Sequence, residues 1–182
     1  MRYRFLLDAN SYIAAKNFHY RMHIVPGFWD WLDTQAENGQ VASIEMVRTE
    51  LLSYGDSLTD WAKHRESHFL AVDDAATQQC CADIANYVQS VPSYAEPNRN
   101  LFLSGADPWL IAKANVLDAT VVTHEILVGP DSKKVKIPNV CQHFNTKCCD
   151  IYDLLDRLSA KFVLEGNRRA KQSDDKPYGI DE

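Results

Sequence analysis

Short apolar runs and longer stretches with a helical period follow one another along this chain. The largely apolar run at residues 4–7 and the β-branched run at residues 120–123 are typical of buried parallel strands. Shorter extended pieces are predicted at residues 41–42, 137–140 and 146–149, the last of them as an edge strand. Strands that alternate with helices predict an α/β fold, in which helices cover both faces of a doubly wound parallel sheet.

Apolar residues three or four positions apart predict the helices. The predicted helical stretches are residues 11–18, 26–38, 44–52, 57–69, 73–91, 107–117 and 151–162. Ser43 and Ser57 are the expected N-caps of the helices that they precede. Residues 90–100 contain two prolines and predict a loop, and residues 101–103 are expected to form one short turn or strand.

Acidic residues follow both of the strongest strand predictions. Asp8 comes directly after the first and Glu125 shortly after the second, which places both at the edge where doubly wound sheets bind ligands. A third acid, Asp107, precedes Pro108 at the start of a predicted helix. Asp8 and Asp107 also have the form of helix caps, and capping is sufficient to explain the presence of either acid. It does not explain the direction of Asp107, which lies three residues before Leu110 in an apolar stripe.

A fourth acid, Glu50, is predicted to point toward the core from the helix at residues 44–52. The apolar stripe of that helix contains Val47 and Leu51, and Glu50 lies at its edge, whereas Glu45 points the other way. Because a carboxylate on an apolar face is unfavourable unless it is paired or bound to a metal, Glu50 is a candidate site residue. A side chain that reaches from the rim of the core into water is the alternative.

Length and composition are typical of one globular domain. The chain has 182 residues, of which 46% are hydrophobic, so we expect one domain at residues 1–165 and a charged, flexible tail at residues 166–182. A net charge of −6 argues against binding of nucleic acid by bulk positive charge. We find no apolar stretch near the ~20 residues of a membrane span and no signal peptide, and therefore expect a cytoplasmic protein without membrane contact.

Cysteine and histidine spacing gives little support for a zinc site. The chain has five cysteines, none in a C-x-x-C spacing, which we interpret as reduced core residues. His64 and His68 are four residues apart on a predicted helix, but the order H-R-E-S-H differs from the metalloprotease motif. A solvated helix face is the simpler interpretation of both histidines.

The acids together predict a different metal. Carboxylates that share one crevice repel one another unless a cation lies between them. Magnesium and manganese prefer oxygen ligands, and two such ions about 3.5 to 4 Å apart promote phosphodiester hydrolysis in other enzymes. The sequence therefore predicts a Mg²⁺ or Mn²⁺ site built from four residues, namely Asp8, Glu50, Asp107 and Glu125.

At these residues the chain resembles the PIN-domain family of metal-dependent ribonucleases, which includes the VapC-type toxins. The resemblance rests on four segments between residue 5 and about residue 126, namely Leu6-Leu7-Asp8-Ala9-Asn10, residues 43–51, residues 107–114 and Val121-Val122-Thr123-His124-Glu125. The segment Pro26-Gly27-Phe28-Trp29 indicates a less characterised, PIN-like branch. The resemblance implies a PIN-like fold and an endoribonuclease, the toxin of a toxin-antitoxin pair.

The resemblance also assigns roles to individual residues. It implies that Asp8, Glu50 and Asp107 bind the metal, and that Asn10 and Thr123 support them by hydrogen bonds. The chain departs from the family at Glu125, where the family usually has Asp. Glu125 is the expected fourth ligand, and Asp131 is the substitute.

Partners follow from the same resemblance. We expect an RNA substrate, a cognate antitoxin protein and a possible homodimer. The cations available for RNA contact are Lys16, Arg21, Lys133 and Lys134, together with Lys136 in the same basic segment. An ordinary solvated surface is an equally good explanation of the lysines.

Two other functions are consistent with parts of the pattern. A phosphatase with an aspartyl nucleophile also has an acid directly after its first strand, but such enzymes use D-x-D, and Asn10 stands at the second position here. A PIN-like binding module whose metal site has degraded would explain the Glu125 departure.

Overall fold

A five-stranded parallel sheet forms the centre of the computed structural model, which describes residues 3–163. The strands are β1 (Phe5–Leu7), β2 (Val41–Ile44), β3 (Phe69–Leu70), β4 (Thr120–Val122) and β5 (Lys147–Cys149). Their order in the sheet is β3-β2-β1-β4-β5, with every pairing parallel. The predictions of a doubly wound α/β sheet and of a last edge strand near residues 146–149 are confirmed.

The strand order places a topological switch point beside β1. From β1 the chain adds β2 and β3 on one side, and it then returns across the sheet to place β4 on the other. Ligands of doubly wound sheets bind in the crevice where the winding direction reverses, outside the carboxyl ends of the strands. The residues that follow β1 and β4 are therefore adjacent to that crevice.

Helices lie on both faces of the sheet, as expected for right-handed crossovers in opposite directions. Before β3 they are α1 (Ala9–Ala14), α2 (Pro26–Glu37), α3 (Glu45–Leu52) and α4 (Ser57–Lys63), with a π-helical turn at Ala15–His19 and a 3-10 turn at Glu66–His68. After β3 they are α5 (Ala75–Ser90), α6 (Glu96–Ser104), α7 (Asp107–Leu117), α8 (Ile137–His143) and α9 (Ile151–Arg157).

Two segments predicted as loop or strand are helices. Residues 137–140 lie in α8, where Ile137, Val140 and Cys141 are the buried residues, a spacing that belongs to a helix. Residues 101–103 and part of the predicted loop at 90–100 belong to α6. In both helices a proline in the first turn was misleading, because proline is tolerated there but breaks a helix further in.

Two expected caps and one expected surface residue were also wrong. Asp56, rather than Ser57, caps α4 by accepting hydrogen bonds from the N–H groups of Leu58 and Thr59. The Ser43 side chain does not cap α3. His68 is buried, in contrast to exposed His64, and its Nε2 lies 2.7 Å from the Tyr12 hydroxyl.

The core and the cysteines agree with the sequence predictions. Val47, Leu51 and Phe28 are fully buried, and the cysteines are all unpaired thiols. Among residues 3–163 no helix is long and apolar enough to cross a membrane. The tail predicted at residues 166–182 lies outside the described residues.

Candidate functional site

Asp8 lies at the carboxyl end of β1, in the crevice beside β4. Its side chain is buried, and its backbone N–H donates to the carbonyl of Val122 at 2.9 Å. Although Asp8 occupies the N-cap position of α1, its carboxylate makes no capping hydrogen bond. One of its oxygens accepts a hydrogen bond from the Thr123 hydroxyl at 2.9 Å. The side chain therefore faces the neighbouring strand end instead of its own helix.

Thr123 links Asp8 to the segment that follows β4. Its Oγ1 donates to Asp8 and accepts from the backbone N–H of Glu125 at 3.1 Å. A hydroxyl has one proton to donate, so this second bond directs that proton toward Asp8. Thr123 therefore holds one oxygen of Asp8 by a hydrogen bond, and its supporting role at a metal site stays a prediction.

Two serines satisfy strand carbonyls around the same crevice. The Ser43 hydroxyl donates to the carbonyl of Leu7 at 2.6 Å, and the Ser11 hydroxyl donates to that of Val122 at 3.0 Å. Both serines are buried, and sequence analysis did not assign them this role. These bonds fix the ends of β1 and β4, on which the position of Asp8 depends.

Glu50 and Asp107 approach the crevice from helices α3 and α7. Glu50 is partly buried, and its Oε1 accepts a hydrogen bond from the N–H of Ala106 at 3.1 Å, which ties α3 to the residue before Asp107. A Cβ at Gly105 would lie 3.8 Å from the same oxygen. Asp107 is the first residue of α7. Glu45 is exposed, as predicted.

Burial and mutual repulsion make these carboxyl groups hard to ionise. Burial, with a further contribution from Glu125 and Glu50, raises the pKa of Asp8 to about 6, although the Thr123 hydrogen bond opposes the shift. Burial, followed by the negative charges of Asp8, Glu125 and Glu50, raises the pKa of Asp107 to about 8. The crevice therefore lacks enough positive charge to stabilise the ionised forms of these carboxyl groups at neutral pH.

Among the four candidate acids, Glu125 has the most local partners. Its Oε1 forms an ion pair with Lys136, and its Oε2 accepts a hydrogen bond from the N–H of Ile137 at 2.8 Å. Lys136 also lowers the pKa of Asp107, so its charge is felt in the crevice. Sequence analysis found the basic segment but not this pair, because the intervening residues 124–136 have no periodicity that would bring the two side chains together.

The remaining predicted residues are more scattered. Asn10 is exposed, and within the described residues it makes no hydrogen bond to the acids. Asp131 is exposed on a turn. Lys16 is 2.5 Å from an oxygen of Asp56. Arg21, Lys133 and Lys134 are exposed, and no feature of the described residues around them indicates an RNA-binding site.

The chemistry of the candidate acids suits a divalent cation, but their side chains are not gathered around a single point. Within residues 3–163 no three His, Cys, Asp or Glu side chains are gathered closely enough to hold an ion. The carboxylates of Asp8, Glu50 and Asp107 nevertheless interact electrostatically, and hard oxygen ligands with excess negative charge suit Mg²⁺ or Mn²⁺.

Comparison with known proteins gives a family and a distant structural likeness. A family model described as "Domain of unknown function (DUF4411)" matches residues 5–162. No curated protein matches the sequence. A crystal structure of VapBC2 from Rickettsia felis, bound to a DNA fragment from their promoter, is 16% identical and covers 80% of this chain and 97% of that chain, with a TM-score of 0.49. A likeness this distant transfers neither activity nor partner.

Proposed function

We propose that this chain, which belongs to the DUF4411 family, is a PIN-like endoribonuclease that depends on magnesium or manganese. The observation that carries the proposal is the pair Asp8 and Asp107, whose pKa values are raised to about 6 and about 8 at a topological switch point. Strongly shifted acids in a crevice are a feature of functional sites. The resemblance of the surrounding segments to PIN-domain sequences supplies the reaction class.

In this proposal Asp8, Glu50 and Asp107 hold the cation. When bound, the cation supplies an activated water and stabilises the leaving oxygen of the phosphodiester. Thr123 fixes one oxygen of Asp8, and the Ala106 N–H fixes one oxygen of Glu50. Asp107 is the first residue of α7, and among the described residues its carboxylate accepts no hydrogen bond from that helix, so it is not committed to α7.

The position of Glu125 in the ligand set stays a prediction. To reach a cation, its carboxylate would have to exchange the Lys136 ammonium or the Ile137 N–H for the ion. Asp131, the substitute, is exposed on its turn and is not among the charges that shift the pKa of Asp8 or Asp107.

An RNA-cleavage assay tests the proposal directly. We expect purified protein with Mn²⁺ or Mg²⁺ to cleave single-stranded RNA, and we expect cleavage to stop with chelator and with Asp8→Asn. Glu45→Gln is the matched control, because Glu45 lies on the same helix as Glu50 but is exposed. Cleavage by Asp8→Asn at the wild-type rate would reject the nuclease.

A binding module without catalysis is the second candidate. It is favoured by the separation of the acids in the described residues and by the partners that already occupy both oxygens of Glu125. Calorimetric titration with Mn²⁺ separates the two functions. Saturable binding that Asp107→Asn removes supports the nuclease, whereas no heat of binding near neutral pH supports the module.

The biological role proposed here is that of a toxin controlled by a cognate antitoxin. It rests on the resemblance to VapC-type sequences. Induced expression of the wild type should arrest growth, and expression of Asp8→Asn should not. A small protein encoded beside this one should bind it and relieve the arrest, and normal growth during expression of an active nuclease would contradict the toxin role.

A further inference from the structure

An open groove of about 430 Å³ lies next to the acidic crevice. Its walls include Asn10, Phe18, His124, Glu125, Ile126 and Lys136. Glu125 and Asn10 connect it to the crevice, since each follows a strand end by three residues. The groove is therefore adjacent to the proposed cleavage site.

We propose that this groove binds one nucleotide of a single-stranded RNA, with its base stacked on Phe18 and its phosphate held by Lys136. The inference rests on the proposed function and adds to it the position and the conformation of the substrate. Of the cations named from the sequence it keeps Lys136, and it replaces Lys16, Arg21, Lys133 and Lys134 by Phe18 and Asn10.

Phe18 has the chemistry and the exposure that base stacking requires. It is 73% exposed, on the π-helical turn after α1, and Ile126, which lines the same groove, is 75% exposed. Large apolar side chains that lie exposed beside one another indicate a binding surface. An aromatic ring offers one face to any base, whatever its sequence, and such a stack contributes about 1 to 3 kcal/mol.

Lys136 is held in place for a phosphate. An ammonium has three donors, and one of them is used by Glu125. Glu125 is fixed in turn by the N–H of Ile137, at the start of α8. Glu125 is thus a positioning residue in this inference, since it orients the cation without touching the RNA. The remaining donors of Lys136 can meet a phosphate that enters the groove.

The arrangement favours an unpaired strand. Duplex RNA keeps its bases stacked on one another, so none of them can present its face to Phe18. The Asn10 side chain is exposed on the same wall and offers both donors and an acceptor to a base edge. A nucleotide would use Phe18 for its base, Lys136 for its phosphate and Asn10 for its base edge. One bound nucleotide therefore accounts for the main types of side chain in the groove.

Fluorescence anisotropy with a labelled single-stranded RNA octamer tests the inference. All proteins carry Asp8→Asn, so that the probe is not cleaved. We expect Phe18→Ala to weaken binding roughly 5- to 100-fold and Phe18→Trp to retain it. Val116→Ala is the apolar control, because exposed Val116 lies near the far end of α7, about 13 Å along the helix from Asp107.

Substitutions that remove or keep the positive charge of Lys136 test its contact with phosphate. Lys136→Gln should weaken binding and reduce the slope of affinity against salt by about one ion, and Lys136→Arg should preserve both. Lys134→Gln is the matched control, since Lys134 is exposed in the same segment. Melting curves of each variant separate loss of folding from loss of binding.

Two outcomes would overturn the inference. One is an RNA affinity of Phe18→Ala equal to that of the parent protein. That result would also be obtained if Phe18 bound only a protein partner. The other is equal affinity for duplex and single-stranded RNA. If the wild type fails to cleave RNA but the octamer binds in a Phe18-dependent manner, the groove stands and the proposed nuclease falls.

Discussion

Asp74 and Asp107 stand at the starts of two helices, α5 and α7, that pack against each other. Asp74 caps its helix by accepting from the N–H of Thr77 at 2.9 Å, and it also accepts from the Thr77 hydroxyl and from Lys113. These bonds hold the pKa of Asp74 well below its usual range. Asp107 makes no such bond, and its pKa is raised to about 8.

The two acids show what separates a capping carboxylate from one that its helix leaves unsatisfied. Both precede an apolar helical stretch, so the local sequence explains either as a cap. The difference lies in the bonds, because Asp74 is satisfied by its own helix and by a lysine, whereas Asp107 faces other carboxylates. An acid that is buried without such partners destabilises the fold, and a ligand is the usual compensation.

Asp107→Asn should give the largest effect, in opposite directions for activity and stability. RNA cleavage should fall roughly 100-fold or more, because a ligand should matter at least as much as its supporting residues do in known metal sites. The unfolding free energy of the metal-free protein at pH 7 should rise by roughly 3 kcal/mol, since the repelled carboxyl group is gone. Chemical denaturation with chelator measures the second effect, and a destabilised variant would contradict it.

The pH dependence of stability should carry the signature of the same residue. Asp107 has a raised pKa in the folded state, so its contribution to stability is full below about pH 4 and is lost as the pH rises through about 8. Buried His68 acts in the opposite direction, because burial lowers its pKa to about 4. Its contribution is full above pH 6.5 and is lost as the pH falls toward 4.

Denaturation at pH 5, 7 and 9 in chelator should show both contributions. Asp107→Asn should remove the loss of stability between about pH 6 and 8, because the contribution of Asp8 is already lost by its pKa of about 6. It should leave the His68-dependent loss of stability on the acid side. Saturating Mn²⁺ should abolish the difference between wild type and variant above pH 7. An unchanged profile in Asp107→Asn would show that the carboxyl group is not repelled in the folded protein.

Asp74→Ala should differ from Asp107→Asn in both quantities, because it should lower stability and leave RNA cleavage unchanged. Removal of an N-cap costs about 1 to 2 kcal/mol, and the Lys113 partner is lost as well. Thermal melting and the RNA assay measure the two quantities. A variant that loses cation binding would remove the distinction drawn between the two helix starts.

Glu45→Gln should have the smallest effect. Glu45 is exposed, and its Oε1 accepts one hydrogen bond from the N–H of Val72 at 3.3 Å. The amide oxygen of Gln keeps that bond, so stability should stay within about 0.5 kcal/mol of the wild type. Glu50→Gln, on the same helix, should instead weaken Mn²⁺ binding in calorimetry, and equal binding by both variants would contradict the inward direction of Glu50.

The strand ends were predictable from sequence, and the connections between them were not. A short apolar run followed by Asp8 fixes both a strand and its end, since a parallel sheet brings such ends to one edge. The partner of Glu125 depends instead on residues 124–136, which form no regular element before α8. Residues that lie eleven positions apart across such a segment have no periodic relation.

The burial of His68 shows a second limit. His64 and His68 were expected on one helix face, but α4 ends at Lys63 and the chain turns at Glu66–His68 to enter β3. A two-residue strand carries too little pattern to be recognised beside a longer helix. His68 therefore enters the core, where it meets Tyr12 instead of solvent.

The hydrogen bond between Asp8 and Thr123 joins residues 115 positions apart. During synthesis from the N-terminus, β1 and β2 are made before β4, so the crevice lacks one wall until β4 has been made and has docked. Closing so long a loop is a late event in folding, because its entropy is recovered only when the final contacts form. A chain interrupted before β4 would therefore carry three of the acids, Asp8, Glu50 and Asp107, without the wall that gathers them, so the act of finishing the fold would itself switch the site on.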